Sequence, residues 1–137
     1  MTRTSKNANV AKYILDTTLL VDHLRGREEA VELVDTLALD GHRLGVCCVS
    51  ITELYSGLGQ HERAAADDFT DGLEYYDISR EIAKEAGRYR YESARRGTAL
   101  STADTLIAAT AIAQGATLIT ANTRDFPMDG IKLFERA

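Results

Sequence analysis

Short apolar runs alternate along the chain with longer stretches of helical period. Tyr13-Ile14-Leu15 is apolar, stops at Asp16, and predicts a first strand. Thr18 to Arg25 predicts a short helix. Glu28 to Leu39 predicts a longer one, with Ala30, Val31, Val34, Leu37 and Ala38 on one face. Asp40-Gly41 marks a turn. Leu44 to Val49 is rich in strand formers and predicts a second strand. Ser50-Ile51-Thr52-Glu53 has the spacing of a capping box, so a helix is expected from Ser50 to about Gly57 or Gln60. A polar helical stretch covers Glu62 to Phe69, and Tyr75 to Ile78 predicts a third strand. Ser79 is placed to cap a helix running to Arg96 and stopped by Gly97. Ser101-Thr102-Ala103-Asp104 repeats the capping-box spacing. The helix it opens turns Leu106, Ile107, Ala111 and Ile112 inward and ends at Gly115. Thr117 to Thr120 predicts a fourth strand and Ile131 to Phe134 a fifth at the edge.

Strands alternating with helices imply parallel pairing. The expected fold is a three-layer α/β domain, its central, mostly parallel sheet of four or five strands flanked by helices. Ligands in such sheets bind beyond the carboxyl ends of the strands. Three acids stand where that rule would use them. Asp16 ends the first strand, Glu53 lies early in the helix after the second, and Asp104 opens the helix before the fourth. After the fourth strand, Thr120-Ala121-Asn122-Thr123-Arg124-Asp125-Phe126 adds Asn122 and Asp125. Two carboxylates about 4 Å apart repel by roughly 4 kcal/mol at an effective dielectric of 20. A hard divalent cation removes that cost, and oxygen-only ligands suit Mg²⁺ or Mn²⁺. Singly, each acid also has a structural use: Glu53 and Asp104 could close capping boxes and offset a helix dipole, and Asp16 could be a solvated loop acid.

The net charge of −5 disfavours non-specific attraction to nucleic acid. A nucleic-acid enzyme with this balance must concentrate positive charge locally or take it from metal ions. Length fits one domain. No apolar stretch approaches a membrane span. The polar start, Met1 to Val10, lacks the apolar core of a signal peptide, so a cytoplasmic location is expected. Cys47 and Cys48, neighbours on an expected strand, would face opposite ways and read as inert thiols. His23, His42 and His61 are scattered and read as surface or loop residues.

Four segments together resemble the PIN-domain ribonucleases, and within them the VapC-like toxins. They are Leu15-Asp16-Thr17-Thr18-Leu19-Leu20-Val21-Asp22, Ser50-Ile51-Thr52-Glu53-Leu54-Tyr55-Ser56-Gly57, Asp104-Thr105-Leu106-Ile107-Ala108-Ala109-Thr110-Ala111 and Leu118-Ile119-Thr120-Ala121-Asn122-Thr123-Arg124-Asp125-Phe126. They come in the family's order and cover nearly the whole chain. With residues 1–10 read as a polar lead-in, the resemblance implies one PIN-like domain over 11–137. It implies a catalytic set of Asp16, Glu53, Asp104 and Asp125, with Asp16, Glu53 and Asp104 holding Mg²⁺ or Mn²⁺. Either Asn122 or Asp125 fills the fourth position. Thr18, Thr120, Asn122 and Arg124 would meet the substrate. Thr18 stands where many relatives have Asn or Ser.

The implied chemistry is endonucleolytic cleavage of structured RNA, such as tRNA or rRNA, by metal-activated water, leaving a 5′-phosphate and a 3′-hydroxyl. The implied partners are a VapB-like cognate antitoxin and a second copy of the chain. The alternative is a catalytically weak PIN scaffold acting as a binding or regulatory module, a reading that Asn122 keeps open. Two rivals lack their signatures. A haloacid-dehalogenase-like phosphatase needs an Asp where Thr18 stands. A receiver domain needs a paired acid after the first strand and a Lys after the fifth.

Arg88, Arg90, Arg95 and Arg96, with Tyr89 and Tyr91, could form a phosphate-holding strip with stacking rings. They could equally serve a helix end and the core, which is the reading adopted. Arg124 could hold a phosphate or pair with Asp125. Leu19, Leu20, Leu24 and Leu33 could line a dimer or antitoxin surface but read as core.

Overall fold

A computed structural model describes residues 9–137. The expected lead-in falls, over residues 1–8, outside the described residues. Five strands are described: β1 (Lys12–Leu15), β2 (Arg43–Cys47), β3 (Glu74–Tyr76), β4 (Thr117–Thr120) and β5 (Lys132–Glu135). They pair in the order β3-β2-β1-β4-β5, and every pairing is parallel. The expected central sheet is therefore present with five strands. Six α-helices connect them: α1 (Thr17–Leu24), α2 (Glu28–Leu39), α3 (Cys48–Ser56), α4 (Arg63–Asp71), α5 (Arg80–Arg95) and α6 (Thr102–Ala113).

The two-residue period of the strands builds two cores, one on each face of the sheet. Ile14, Cys47, Tyr76 and Leu118 face one side and pack with Ala86 and Tyr89 of α5 and with Ile107, Ala108 and Ala111 of α6. Leu15, Val46 and Ile119 face the other and pack with Leu19 and Leu20 of α1, Ala30, Val34 and Leu37 of α2, and Leu54 of α3. Leu24 and Leu33 are partly buried against that second cluster, so the early leucines are core, as read. α6 is buried nearly all round, which its run of small residues, Ala108 to Ala111, permits. Gly97 and Gly115 close α5 and α6 at φ +85° and +63°, a conformation that costs glycine no Cβ clash.

β3 stops at Tyr76 rather than Ile78, and several other ends shift by one or two residues; the largest difference is at the β2–α3 corner. β2 stops at Cys47, and Cys48 and Val49 are already wound into α3. Their strand-like composition is overridden by packing, since both side chains lie against the α5–α6 core. Cys48 is therefore not on a strand: the two cysteines flank a strand-to-helix corner, where their thiols lie beside each other rather than facing opposite ways. The buried Cys47 thiol is pushed up by desolvation, in keeping with an inert group. Ser50, the expected cap, sits inside the helix. It is fully buried, and its hydroxyl has no partner among the described residues. Ser50→Ala should therefore leave the melting temperature unchanged or raise it by the equivalent of up to about 1 kcal/mol, because an orphaned hydroxyl is removed. A helix cap would instead cost about 1 kcal/mol on the same substitution, and a drop of several degrees in a thermal melt would restore the capping reading. Ser79 and Ser101 do act as caps, accepting from the N–H groups of Ile82 (3.1 Å) and Asp104 (3.0 Å).

Candidate active site

β1 lies at the centre of the sheet, with β2 and β3 to one side and β4 and β5 to the other. The strand order therefore reverses between β1 and β4, the point at which such sheets open a crevice. The Asp16 N–H donates to the Ile119 carbonyl across this gap (3.2 Å). Asp16 is the N-cap of α1 and only 6% exposed. Its Oδ1 accepts from the Leu19 N–H (3.1 Å) and from the Thr18 hydroxyl (2.9 Å). One oxygen is thus occupied by the protein, and no described residue bonds the other.

Glu53 sits in the second turn of α3, where it accepts a hydrogen bond from the Thr17 hydroxyl (2.6 Å). Asp104 lies in the first turn of α6. Beyond β4, Thr120 turns its hydroxyl inward to accept from the Asn122 N–H (2.9 Å). That bond opens a short 3₁₀ turn, Thr123–Asp125. One cavity of about 260 Å³ is lined by Asp16, Thr17, Thr18, Glu53, Asp104, Ile107, Asn122, Asp125 and Phe126. Acids that are far apart in sequence therefore meet. The Asp104 carboxyl is raised above the usual range, first by burial and then by Asp125, Glu53 and Asp16. Ser101 acts in the opposite direction.

The donors are carboxylates, an amide and hydroxyls, a hard, all-oxygen set. Among the described residues, no three His, Cys, Asp or Glu side chains are drawn tightly enough to form a cation cage as they stand. The fit to a divalent ion rests instead on donor chemistry and on the crowding that raises Asp104, since a bound cation would favour its ionised form. None of the histidines lines the cavity. His23 is not a surface residue. It stacks on Phe69 at 3.9 Å, and burial lowers its proton affinity.

Two expected substrate contacts stand elsewhere. Thr120 is fully buried and supports the loop that carries Asn122. Arg124 is exposed, does not line the cavity and makes no ion pair with a described residue. The arginine strip of α5 is largely committed to its own helix. Arg88 pairs with Glu85 (2.6 Å) and Glu92 (2.9 Å), and Arg95 donates to the Tyr91 hydroxyl (3.1 Å). Arg90 donates to the Leu100 carbonyl (2.9 Å). Tyr89 is core. Sequence reasoning passed over Thr17, Ile107 and Phe126 as cavity walls. The position of Ile107, three residues after Asp104 on a helix, was the available signal.

The PIN domain family model matches residues 13–128. Among curated proteins, the chain is 38% identical to Ribonuclease VapC19 of Mycobacterium tuberculosis over 117 residues, 84% of this chain and 92% of that one. It is 27% identical to the tRNA(fMet)-specific endonuclease VapC of Salmonella typhimurium, over 89% of this chain and 96% of the relative. Among solved structures, VapBC2 from Rickettsia felis, bound to a DNA fragment from its promoter, superposes with a TM-score of 0.82 at 25% identity, covering 92% and 99% of the two chains. Sheet order, the acid-lined crevice at the strand reversal and these likenesses agree: the chain belongs to the PIN-domain family, in its VapC group.

Proposed function

We propose that this protein is a metal-dependent endoribonuclease toxin that cuts structured RNA and is held in check by a VapB-like antitoxin. The observation that carries the proposal is the meeting of Asp16, Glu53, Asp104, Asn122 and Asp125 around one cavity. Asp16, Glu53 and Asp104 would hold Mg²⁺ or Mn²⁺. When bound, the ion supplies an activated water and neutralises charge on the scissile phosphodiester.

The remaining work falls to side chains. Thr18 and the Leu19 N–H fix one oxygen of Asp16, so that the carboxylate presents the other in a set direction. Thr17 does the same for Glu53. Asn122 adds a neutral carbonyl and amide to the cavity wall, and Asp125 adds the fourth negative charge, so Asp125 is the better fourth acid. Ile107 and Phe126 supply the apolar part of the wall. Arg124, exposed beside this wall and without an ion pair among the described residues, is placed to meet an incoming phosphate. Thr120 acts indirectly, through the turn it holds.

The similarity to a tRNA-specific endonuclease supports structured RNA as the substrate class. The VapBC2 structure supports an antitoxin partner. The proposal includes a cytoplasmic location and a homodimer. Among the described residues, no helix is long and apolar enough to cross a membrane.

The test is cleavage of a tRNA and rRNA panel with Mg²⁺ or Mn²⁺, against EDTA and against Asp16→Asn. The expected result is cutting that needs the ion and is lost in the variant, with 5′-phosphate ends. Cleavage that survives EDTA, or no cleavage of any RNA by the wild type, would count for the regulatory module, a reading that the uncharged Asn122 favours. Expression alone should also arrest growth, and co-expression of the cognate antitoxin should restore it.

A further inference from the structure

Behind the cavity lies a cation that no motif singled out. Arg136 follows β5, beyond the stretch matched by the family model. Its side chain is only 8% exposed. Its backbone N–H donates to the Thr120 carbonyl at the end of β4 (3.0 Å). Its guanidinium reaches across to α1, where Nη2 pairs with Asp22 at 2.8 Å and lies 3.4 Å from the Thr18 hydroxyl. Nε is buried without a partner among the described residues, so the guanidinium is not solvated on that side and cannot meet a substrate through it.

The two anchors stand on opposite walls of the acidic cavity. α1 carries Asp16 and Thr18, and the end of β4 carries Asn122 through Thr120. An ion pair buried on its Arg136 side and partly exposed at Asp22 gives little net stability, because desolvation offsets the attraction. What it does give is a fixed link between two elements. We infer that Arg136 is a positioning residue: it straps the α1 wall to the β4 wall and so sets the spacing of Asp16 from the acids and amide across the cavity. Through Thr18 it also fixes hydrogen-bond direction. With Arg136 on the oxygen of Thr18, the single hydroxyl proton is directed to Asp16 Oδ1.

The inference rests on the proposed ribonuclease reading, and its test separates the two. Arg136→Gln and Asp22→Asn should each weaken Mn²⁺ binding, measured by titration calorimetry, and lower kcat by roughly tenfold, the usual cost of disturbing groups that orient ligands. KM should change little. Arg136→Lys should recover part of both losses, and the Arg136→Gln/Asp22→Asn double variant should be no worse than either single one. Arg27→Gln is the control. Arg27 also pairs with Asp22 (3.1 Å), but from solvent, with 60% of its side chain exposed, and its loss should leave both readouts unchanged.

A lower melting temperature with unaltered Mn²⁺ affinity and kcat would mean that Arg136 is only structural, and would overturn the inference. So would tighter Mn²⁺ binding, the result expected if Arg136 merely repelled the ion. If Arg136→Gln does not fold, Arg136→Lys and Asp22→Asn decide by the same readouts. If the wild type binds Mn²⁺ but cuts no RNA, the function proposal fails and the calorimetry alone judges the strap. A wild type that binds no Mn²⁺ ends both.

Discussion

Asp104→Asn should reduce metal-dependent RNA cleavage by roughly 100-fold or more, and at the same time raise the melting temperature of the metal-free protein at neutral pH. The two effects share one cause. Burial and three neighbouring acids make the folded protein hold the Asp104 proton more tightly than the unfolded chain does. A raised folded-state proton affinity favours folding while both states are protonated, and that advantage drains away as pH rises through the raised value. Asn carries no proton to lose. The variant's lead should therefore open above about pH 4, where a free Asp ionises, reach its full size at neutral pH, and vanish in acid. Asp104 is half-buried, so solvent screening keeps the gain to about 1 kcal/mol or less. The first-turn position returns a few tenths of that through the helix dipole. Thermal melts in EDTA at pH 3.5 and pH 7.5, beside a cleavage assay, check both halves. A variant that cuts normally, or one that melts lower at pH 7.5 than the wild type, would remove Asp104 from the proposed site.

Asp16 behaves differently, although sequence alone put it in the same class. Its carboxylate caps α1. Asp16→Ala should therefore cost about 1 kcal/mol of stability on top of the activity, whereas Asp16→Asn keeps the cap. Loss of the charge should therefore favour the fold at a crowded acid such as Asp104 and cost stability at a capping one such as Asp16.

The largest effect on the fold is expected from Gly45→Ala. Gly45 is buried in β2, opposite Ile14 on β1 and Glu74 on β3. A Cβ there would stand 2.4 Å from a ring carbon of Tyr76 and 3.1 Å from the Glu74 carbonyl oxygen. The ring is not free to swing aside. Its hydroxyl donates to Glu74 (2.5 Å), which Arg43 holds through two bonds, at 2.8 and 2.9 Å. Burial and Glu74 push the Tyr76 phenol up to about 12, so it stays a donor. Overpacking of this kind costs about 1–3 kcal/mol, a fall of roughly 3–10 °C in melting temperature for a domain of this size. The contrast is Gly87→Ala in α5, where a Cβ meets nothing within 4 Å and helix propensity alone adds about 0.5–1 kcal/mol. A Gly45→Ala protein that melts with the wild type would mean that the Tyr76 ring yields freely.

Much of this arrangement was legible from local pattern. α2 and β4 fall on the residues that periodicity and turn chemistry marked, because a helical stripe closed by Asp40-Gly41 and a break at Gly115 leave little choice of frame. The acid positions were legible for a different reason. In a parallel sheet, whatever follows a strand lies at one end, so sequence order alone brings Asp16 and Asn122 to the same side. The start of α3 was not legible, since Cys48 and Val49 carry strand propensity and only tertiary packing winds them into a helix. That Thr120 turns into the core and Arg124 away from the cavity was not legible, because a motif gives neighbours along the chain, not which of them turn inward. Arg136 was invisible, because its partner Asp22 lies 114 residues away and no local rule links them.

The central place of β1 has a consequence during synthesis. Tyr13 to Leu15 are made long before their second pairing partner, Thr117 to Ile119. A nascent chain still lacking β4 exposes one flank of its middle strand, and the far bank of the crevice does not exist. Contacts that span most of the chain form last. The two banks of the crevice, Asp16 after β1 and Asn122 and Asp125 after β4, therefore face each other only once the last third of the chain has been added.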